Sequence, residues 1–215
     1  MNYERVIEQV SECCRKVGRQ PESVRVVAVS KNRSAEEVET LYQKGHRDFG
    51  ENRAQELDGK AGALPADIRW HFIGPLQTNK VRLVRPIVHL LHSMDRPELG
   101  AAWMKGPGLP PPVLVQVNIG REPQKHGVLV EGLEDLASNL EHLGMDLRGL
   151  MAIPPRVESP GDARPYFAKL RGVWEQLGQL GYRMEILSMG MSDDFEVAIE
   201  EGATDIRLGR AIFGG

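Results

Sequence analysis

Lys31 closes an apolar run, Val26-Val27-Ala28-Val29-Ser30-Lys31. A lysine at the C-terminal end of a buried parallel strand can carry its amine into a dry pocket. Desolvation there disfavours the ammonium form. A neutral amine attacks carbonyls and forms Schiff bases, with a substrate or with a carbonyl cofactor. The plainer reading is a lysine that caps a strand in solvent. A second segment with chemical potential is Ser188-Met189-Gly190-Met191-Ser192, followed by Asp193-Asp194. Glycine lets backbone N–H groups approach an anion, and a helix starting at Ser192 would favour negative charge. Against this, Ser192 would serve equally as an N-cap and Gly190 as a turn. The two aspartates would repel an anion unless they face away.

The elements that must position these residues alternate along the whole chain. A helix from about Tyr3 to Val17 is expected from Val6, Ile7, Val10, Cys13, Cys14 and Val17, with Gly18 ending it. Strands follow at Val24–Val29, Arg47–Glu51, Ile68–Ile73, Ile87–His92, Pro112–Val117, Leu147–Ile153, Met184–Leu187 and Asp205–Leu208. Between them lie helices: Ser34 to about Lys44, with Ser34 and Glu37 as a capping box; one through Leu57; one from near Gln77; and one from Asp95 or Arg96. Further helices span Leu133–Leu143, Arg164–Leu180 and Asp193–Glu201. Strands alternating with helices imply parallel pairing through crossovers. Eight units, the last short, close most naturally into a single (β/α)8 barrel with an extra N-terminal helix, one α/β domain over 1–215. An open doubly wound sheet is the alternative, but no GxGxxG follows a strand.

Chemistry in such barrels collects at the C-terminal ends of the strands, often with phosphate held after strands seven and eight. The strand ends deliver Lys31; Gly50-Glu51-Asn52; His71 to Gly74; Ser93-Met94; Asn118; Met151; Ser188 to Ser192; and Arg207 with Gly209. If Ile206 and Leu208 face the helices, Arg207 faces the barrel interior. A buried guanidinium needs a partner. That partner would be a core carboxylate such as Glu51, or a ligand atom.

Composition narrows the classes. The chain has 215 residues, a formal net charge of −3 and no dense basic stripe, so nucleic acid is not a favoured partner. No apolar run approaches membrane-spanning length. Cys13 and Cys14 are neighbours on a helix and point apart, so a mutual disulfide is not expected. No Cys/His cluster suggests zinc. The charged start, Met1-Asn2-Tyr3-Glu4-Arg5, lacks a signal core, and a reducing cytoplasm is the expected compartment.

Val27-Ala28-Val29-Ser30-Lys31, Gly50-Glu51-Asn52 with Gln55-Glu56, His71-Phe72-Ile73-Gly74 with Leu76-Gln77 and Asn79-Lys80, and Val117-Asn118-Ile119-Gly120 with Lys125 and Gly127 together resemble one family. So do Gly149-Leu150-Met151, Leu187 to Ser192 with Asp194, and Arg207-Leu208-Gly209 with Ile212-Phe213-Gly214. It is the YggS/PROSC family of pyridoxal-phosphate-binding proteins, and the match runs through nearly the whole chain in order. The resemblance implies a barrel like the N-terminal domain of alanine racemase, with pyridoxal 5'-phosphate (PLP) held as a Schiff base on Lys31. It implies that Arg207 points at the pyridine nitrogen and that Asn52 lines the ring. It implies phosphate contacts from Ser192, Gly209 and the backbone around Met191 and Arg210, with Ser188 and Gly190 also among the cofactor-binding residues. Arg210 departs from the family pattern, where a small hydroxyl residue is common.

Such proteins resemble cofactor carriers that maintain vitamin B6 and amino-acid balance. The expected partners are PLP, amino acids or PLP-dependent apoenzymes, and the expected state is a monomer. A guanidinium cannot accept a proton, so it would favour an unprotonated ring and a weaker electron sink. Racemisation also needs an acid and a base on opposite faces of the substrate carbon. Lys31 could serve one face; Tyr3, Tyr42, Tyr166 and Tyr182 are expected away from the site, leaving His71 and His126. A weakly active amino-acid racemase is therefore the alternative function. A lysine aldolase on the same barrel is a further one, and a protein-interaction module has little support.

Overall fold

The computed structural model describes residues 2–214. Eight parallel strands form a closed barrel in sequence order, β1 to β8. They are β1 (Arg25–Val29), β2 (Asp48–Glu51), β3 (Arg69–Phe72), β4 (Val88–Met94), β5 (Val113–Val117), β6 (Leu147–Ala152), β7 (Ile186–Ser188) and β8 (Asp205–Leu208). The ring closes where β1 pairs with β8, from Arg25 opposite Asp205 to Ala28 opposite Leu208. The β7–β8 seam is registered through a single pair, Ser188 opposite Asp205. Nine helices surround the barrel among the described residues.

Local sequence explains most boundaries. α1 (Tyr3–Lys16) buries Val6, Val10, Cys13 and Cys14 on one face, and Gly18 takes a positive φ of 71° just beyond it. α2 (Ala35–Gln43) opens on the expected capping box: Ser34 Oγ accepts from the Glu37 N–H, and Glu37 Oε2 accepts from the Ser34 N–H. α3 (Ala54–Ala63) runs past Leu57, through two glycines that masked its second half in the sequence. α4 (Val81–Val84) is only one turn, entered from a 3-10 turn at Thr78–Lys80 and cut off by Pro86. α5 (Pro97–Lys105), α6 (Leu133–His142) and α7 (Arg164–Gln179) lie where the apolar spacing placed them. α8 (Phe195–Glu200) begins two residues later than expected. A last turn, α9 (Arg210–Phe213), completes the short eighth unit, whose helix had no legible bounds in the sequence.

Side chains alternate along each strand between the helix-facing layer and the lumen. Trp70, Phe72, Leu91, Met94, Ile206 and Leu208 belong to the large apolar layer under the helices. The lumen is divided. Leu90, Leu114 and Met151 form a small apolar cluster of their own. Asp48, His71, His92, Ser188 and Arg207, all buried, make up a polar group in the lumen drawn from β2, β3, β4, β7 and β8. Among the described residues no helix is long and apolar enough to cross a membrane. Cys13 and Cys14 are both free and buried.

Candidate functional site

The turn that carries Lys31 is fixed from beneath. Ser30 is buried; its hydroxyl donates to Glu51 Oε1 at 2.7 Å, and its carbonyl accepts from Lys60 Nζ at 2.6 Å. Lys60 Nζ also donates to Glu51 Oε1 at 2.6 Å and to Glu56 Oε1 at 2.7 Å. Asn32 follows in the left-handed region, φ 59°, with its N–H on Glu56 Oε1 at 2.6 Å. Burial pushes the Glu51 carboxyl up, against the pull of Lys60 and Ser30. The consequence for Lys31 differs from the expected dry pocket. With Ser30 filling the last buried position, Lys31 projects past the barrel layer and its side chain is exposed.

Arg207 meets the opposite condition. It is 4 % exposed, with Nη1 donating to Ser188 Oγ at 2.6 Å and Nη2 to the Ala152 carbonyl at 2.9 Å. Its hydrogen-bond partners are thus neutral; Glu51, the carboxylate considered for it, faces Lys60 on the other side of β2. Burial pushes the guanidinium down to about 10. A cation held by neutral acceptors leaves room for a ligand atom to complete its environment.

The loop after β7 is shaped by Gly190, whose φ is 93° and where a Cβ would meet the Ala198 Cβ at 2.5 Å. The two aspartates are disposed of separately. Asp194 is buried and turned inward, its Oδ1 accepting from the Met191 N–H at 2.6 Å, and burial pushes its carboxyl up. Asp193 is exposed and pairs with Arg210 Nη2 at 2.5 Å. Ser192 is not an N-cap. Its Oγ accepts from the Ala211 N–H at 3.2 Å and ties the loop to α9.

These parts meet around one cavity of about 380 Å³ at the C-terminal mouth of the barrel. That volume lies within the roughly 300–1,000 Å³ typical of small-ligand sites. Lys31, Asn52, Met191, Ser192, Arg207, Gly209 and Arg210 line it, as do Ile73, Gly74 and Asp193. Ser188 and Gly190 do not; Ser188 lies beneath Arg207 and Gly190 behind the loop. Asn52 Oδ1 is buried without a hydrogen-bond partner among the described residues, an acceptor left for a ligand.

His71 is fully buried in the lumen, bonded to Asp48 and His92, and does not reach the cavity. His126 is exposed, with Nδ1 3.8 Å from Asp95. Tyr3 bonds His46 and Tyr42 donates to Asp67. Among the described residues no tyrosine, histidine or cysteine lines the cavity. Ile73 and Gly74 were legible as a strand end, although their place beside Asn52 follows from a close approach: a Cβ on Gly74 would meet the Asn52 carbonyl oxygen at 2.4 Å.

Residues 2–215 match the family model described as alanine racemase, N-terminal domain. A pyridoxal phosphate homeostasis protein of Aquifex aeolicus is 43% identical, the alignment covering 98% of this chain and 95% of the relative. One of Pseudomonas aeruginosa is 42% identical over 99% and 94%. The structure of PipY of Synechococcus elongatus PCC7942 with PLP bound superposes with a TM-score of 0.77 at 33% identity, covering 95% of this chain and 100% of that one. A closed eight-stranded parallel barrel, full-length identity at this level and a family model spanning the described chain converge: the protein belongs to the alanine racemase N-terminal domain family, among the pyridoxal phosphate homeostasis proteins.

Proposed function

We propose that the cavity holds pyridoxal 5'-phosphate and that the chain serves PLP homeostasis, carrying the cofactor on Lys31 rather than turning over a substrate. One observation carries this reading: an exposed amine at the rim and a buried guanidinium at the floor of a single cavity. The residues fit the group. Among the described residues Asn52 Oδ1 is an unused acceptor, Lys31 an exposed amine, and Arg207 a donor whose hydrogen-bond partners, Ser188 and Ala152, are neutral. PLP bound in PipY, a relative at 33% identity, supports the assignment.

When bound, PLP supplies an aldehyde for reversible capture by an amine and a ring that withdraws electrons. Lys31 Nζ is the capturing amine. Arg207 holds the ring nitrogen through N–H donors alone, and because a guanidinium has no lone pair to offer, it does not keep that nitrogen protonated. Arg210, with Ser192 and Gly209 beside it, holds the phosphate, Arg210 exchanging Asp193 for the stronger anion. Met191 contributes as a wall of the site, since Asp194 takes its N–H. Ser188 and Gly190 act indirectly, the first on Arg207 and the second on the course of the loop.

Carriage rather than racemisation is supported by the lining: beside Lys31, among the described residues, it holds no tyrosine or histidine to work the second face of an α-carbon. The recipients belonging to this role are PLP-dependent apoenzymes, with free amino acids as competitors for the carbonyl. We place a single-domain monomer in a reducing cytoplasm.

The test is borohydride reduction after incubation with PLP, followed by peptide mass mapping. The expected adduct lies on Lys31 and is absent from Lys31→Ala. Protein that takes up no PLP overturns the reading. In the same samples, solvent deuterium should enter the α-carbon of alanine only slowly; exchange at catalytic rates would make the chain a racemase.

A further inference from the structure

The lumen holds a hydrogen-bonded chain that begins at Arg207 and ends at the far side of the barrel. Arg207 Nη1 donates to Ser188 Oγ at 2.6 Å. Ser188 Oγ is 3.0 Å from His92 Nδ1, His92 Nε2 is 2.9 Å from His71 Nδ1, and His71 Nε2 is 3.0 Å from Asp48 Oδ1. His71, His92 and Ser188 are each 0 % exposed. Five strands contribute one lumen-facing residue apiece, so the chain exists only in the closed barrel.

Its two ends decide its direction. A guanidinium can only donate, and an ionised carboxylate can only accept. Burial raises the Asp48 carboxyl, but hydrogen bonds from Arg69 and His71 outweigh it and hold the group well below the usual carboxylate range. Arg69 reaches both oxygens, Nε to Oδ1 at 2.9 Å and Nη2 to Oδ2 at 2.5 Å. Burial, with His71 and Arg207 nearby, pushes His92 well below its ordinary value, which keeps that ring neutral. Arg207 offers no lone pair, so His92 Nδ1 is the acceptor for the Ser188 proton, and with both imidazoles neutral one arrangement follows. The Ser188 hydroxyl donates to His92 Nδ1, His92 Nε2–H donates to His71 Nδ1, and His71 Nε2–H donates to Asp48. Every donor has an acceptor, and Ser188 Oγ is left with its lone pairs toward Arg207. The same imidazoles lie within 4.8 Å of the Asp205 carboxylate, a spacing that would suit a cation. All four ring nitrogens are, however, already engaged in hydrogen bonds, to each other, to Ser188 and to Asp48.

We propose that Asp48, His71, His92 and Ser188 are positioning residues for Arg207, fixing from the opposite end of the barrel how its guanidinium meets the cofactor ring. The inference rests on the reading that PLP occupies the cavity. A serine free to rotate could turn its proton toward the guanidinium and repel it. A serine committed to His92 can only accept, so Arg207 keeps its remaining N–H groups aimed at the cavity. Asp48 sets that commitment three hydrogen bonds away from Arg207's partner, without touching the ligand.

The experiment uses full-length, 15N-histidine-labelled protein with PLP. In the wild type both His71 and His92 should show the Nε2–H tautomer; a wild-type Nδ1–H tautomer at either ring overturns the proposal before any variant is made. Asp48→Ala should lose the His71 tautomer preference, shift the visible absorption and circular dichroism of bound PLP, and raise its Kd about three- to tenfold, the worth of about one hydrogen bond. The borohydride adduct on Lys31 should persist. Asp48→Asn keeps an oxygen at the Oδ1 position and should restore the wild-type spectrum. His71→Leu breaks the chain at another point and should reproduce the Asp48→Ala spectrum. Adducts in all variants with unchanged spectra overturn the positioning role alone. Absence of the adduct from the wild type overturns the cavity reading, and the proposal with it.

Discussion

Single residues decide what this cavity can do, and they do so by backbone as much as by side chain. Gly190 is the sharpest case. Its φ of 93° belongs to the region where L side chains are strained, and a methyl there would sit 2.5 Å from the Ala198 Cβ. Gly190→Ala should therefore cost about 2–4 kcal/mol, combining backbone strain with overpacking. Urea denaturation measures the loss, and PLP uptake should fall with it because Met191 and Ser192 lie on the displaced loop. Lys31 and Arg207 were legible in the sequence because each follows from local information, a strand end in one case and alternation within a strand in the other. Alternation also places Ser188 on the same lumen-facing side as Arg207, two residues short of Gly190. The sequence could not rank the two by depth, since that needs the register of β7 on β8, given by Ser188 opposite Asp205.

Elements hold these residues in register through their ends. α2 is set by its capping box, which orients the turn between Lys31 and Ser34. Ser34→Ala removes one side of the box and should destabilise the fold by about 1 kcal/mol, read as a lower urea midpoint with an unchanged slope. PLP capture by Lys31 should survive, because Ser30, Glu51, Lys60 and Glu56 fix the same turn from below. That fourfold network was invisible in the sequence: Lys60 lies in the half of α3 obscured by Gly59 and Gly62, and the helix had been expected to stop near Leu57. The bounds of α9 were illegible for a different reason. Four residues after a strand carry too little periodicity to show, and its place comes from Ser192 accepting the Ala211 N–H across the gap between two loops.

The whole molecule couples folding to pH through the histidines it buries. Burial pushes His46 below its ordinary value, against the pull of the Asp48 carbonyl and carboxylate. A base whose folded pKa is depressed binds fewer protons folded than unfolded, so stability is lost as pH falls through the unfolded value near 6.5. Buried carboxyls with raised values, Glu51 and Asp194 among them, act in the opposite sense at lower pH, so the comparison is with a variant. Between pH 7.5 and 5.5 the wild type should lose up to about 1 kcal/mol more stability than His46→Phe, measured by chemical denaturation at each pH. Equal losses would mean that His46 titrates alike in both states.

The divided lumen also governs how this sequence can change over time. Leu90, Leu114 and Met151 can exchange for other apolar side chains of similar volume, one at a time and at small cost. The polar half has no such freedom. Replacing one of Asp48, His71, His92 or Ser188 strands its neighbour's donor or acceptor in a dry interior, whereas replacing the set together does not. Those positions should therefore be inherited as a block: relatives would carry the whole set or a different one, and chimeras that split it would fold less well than either parent.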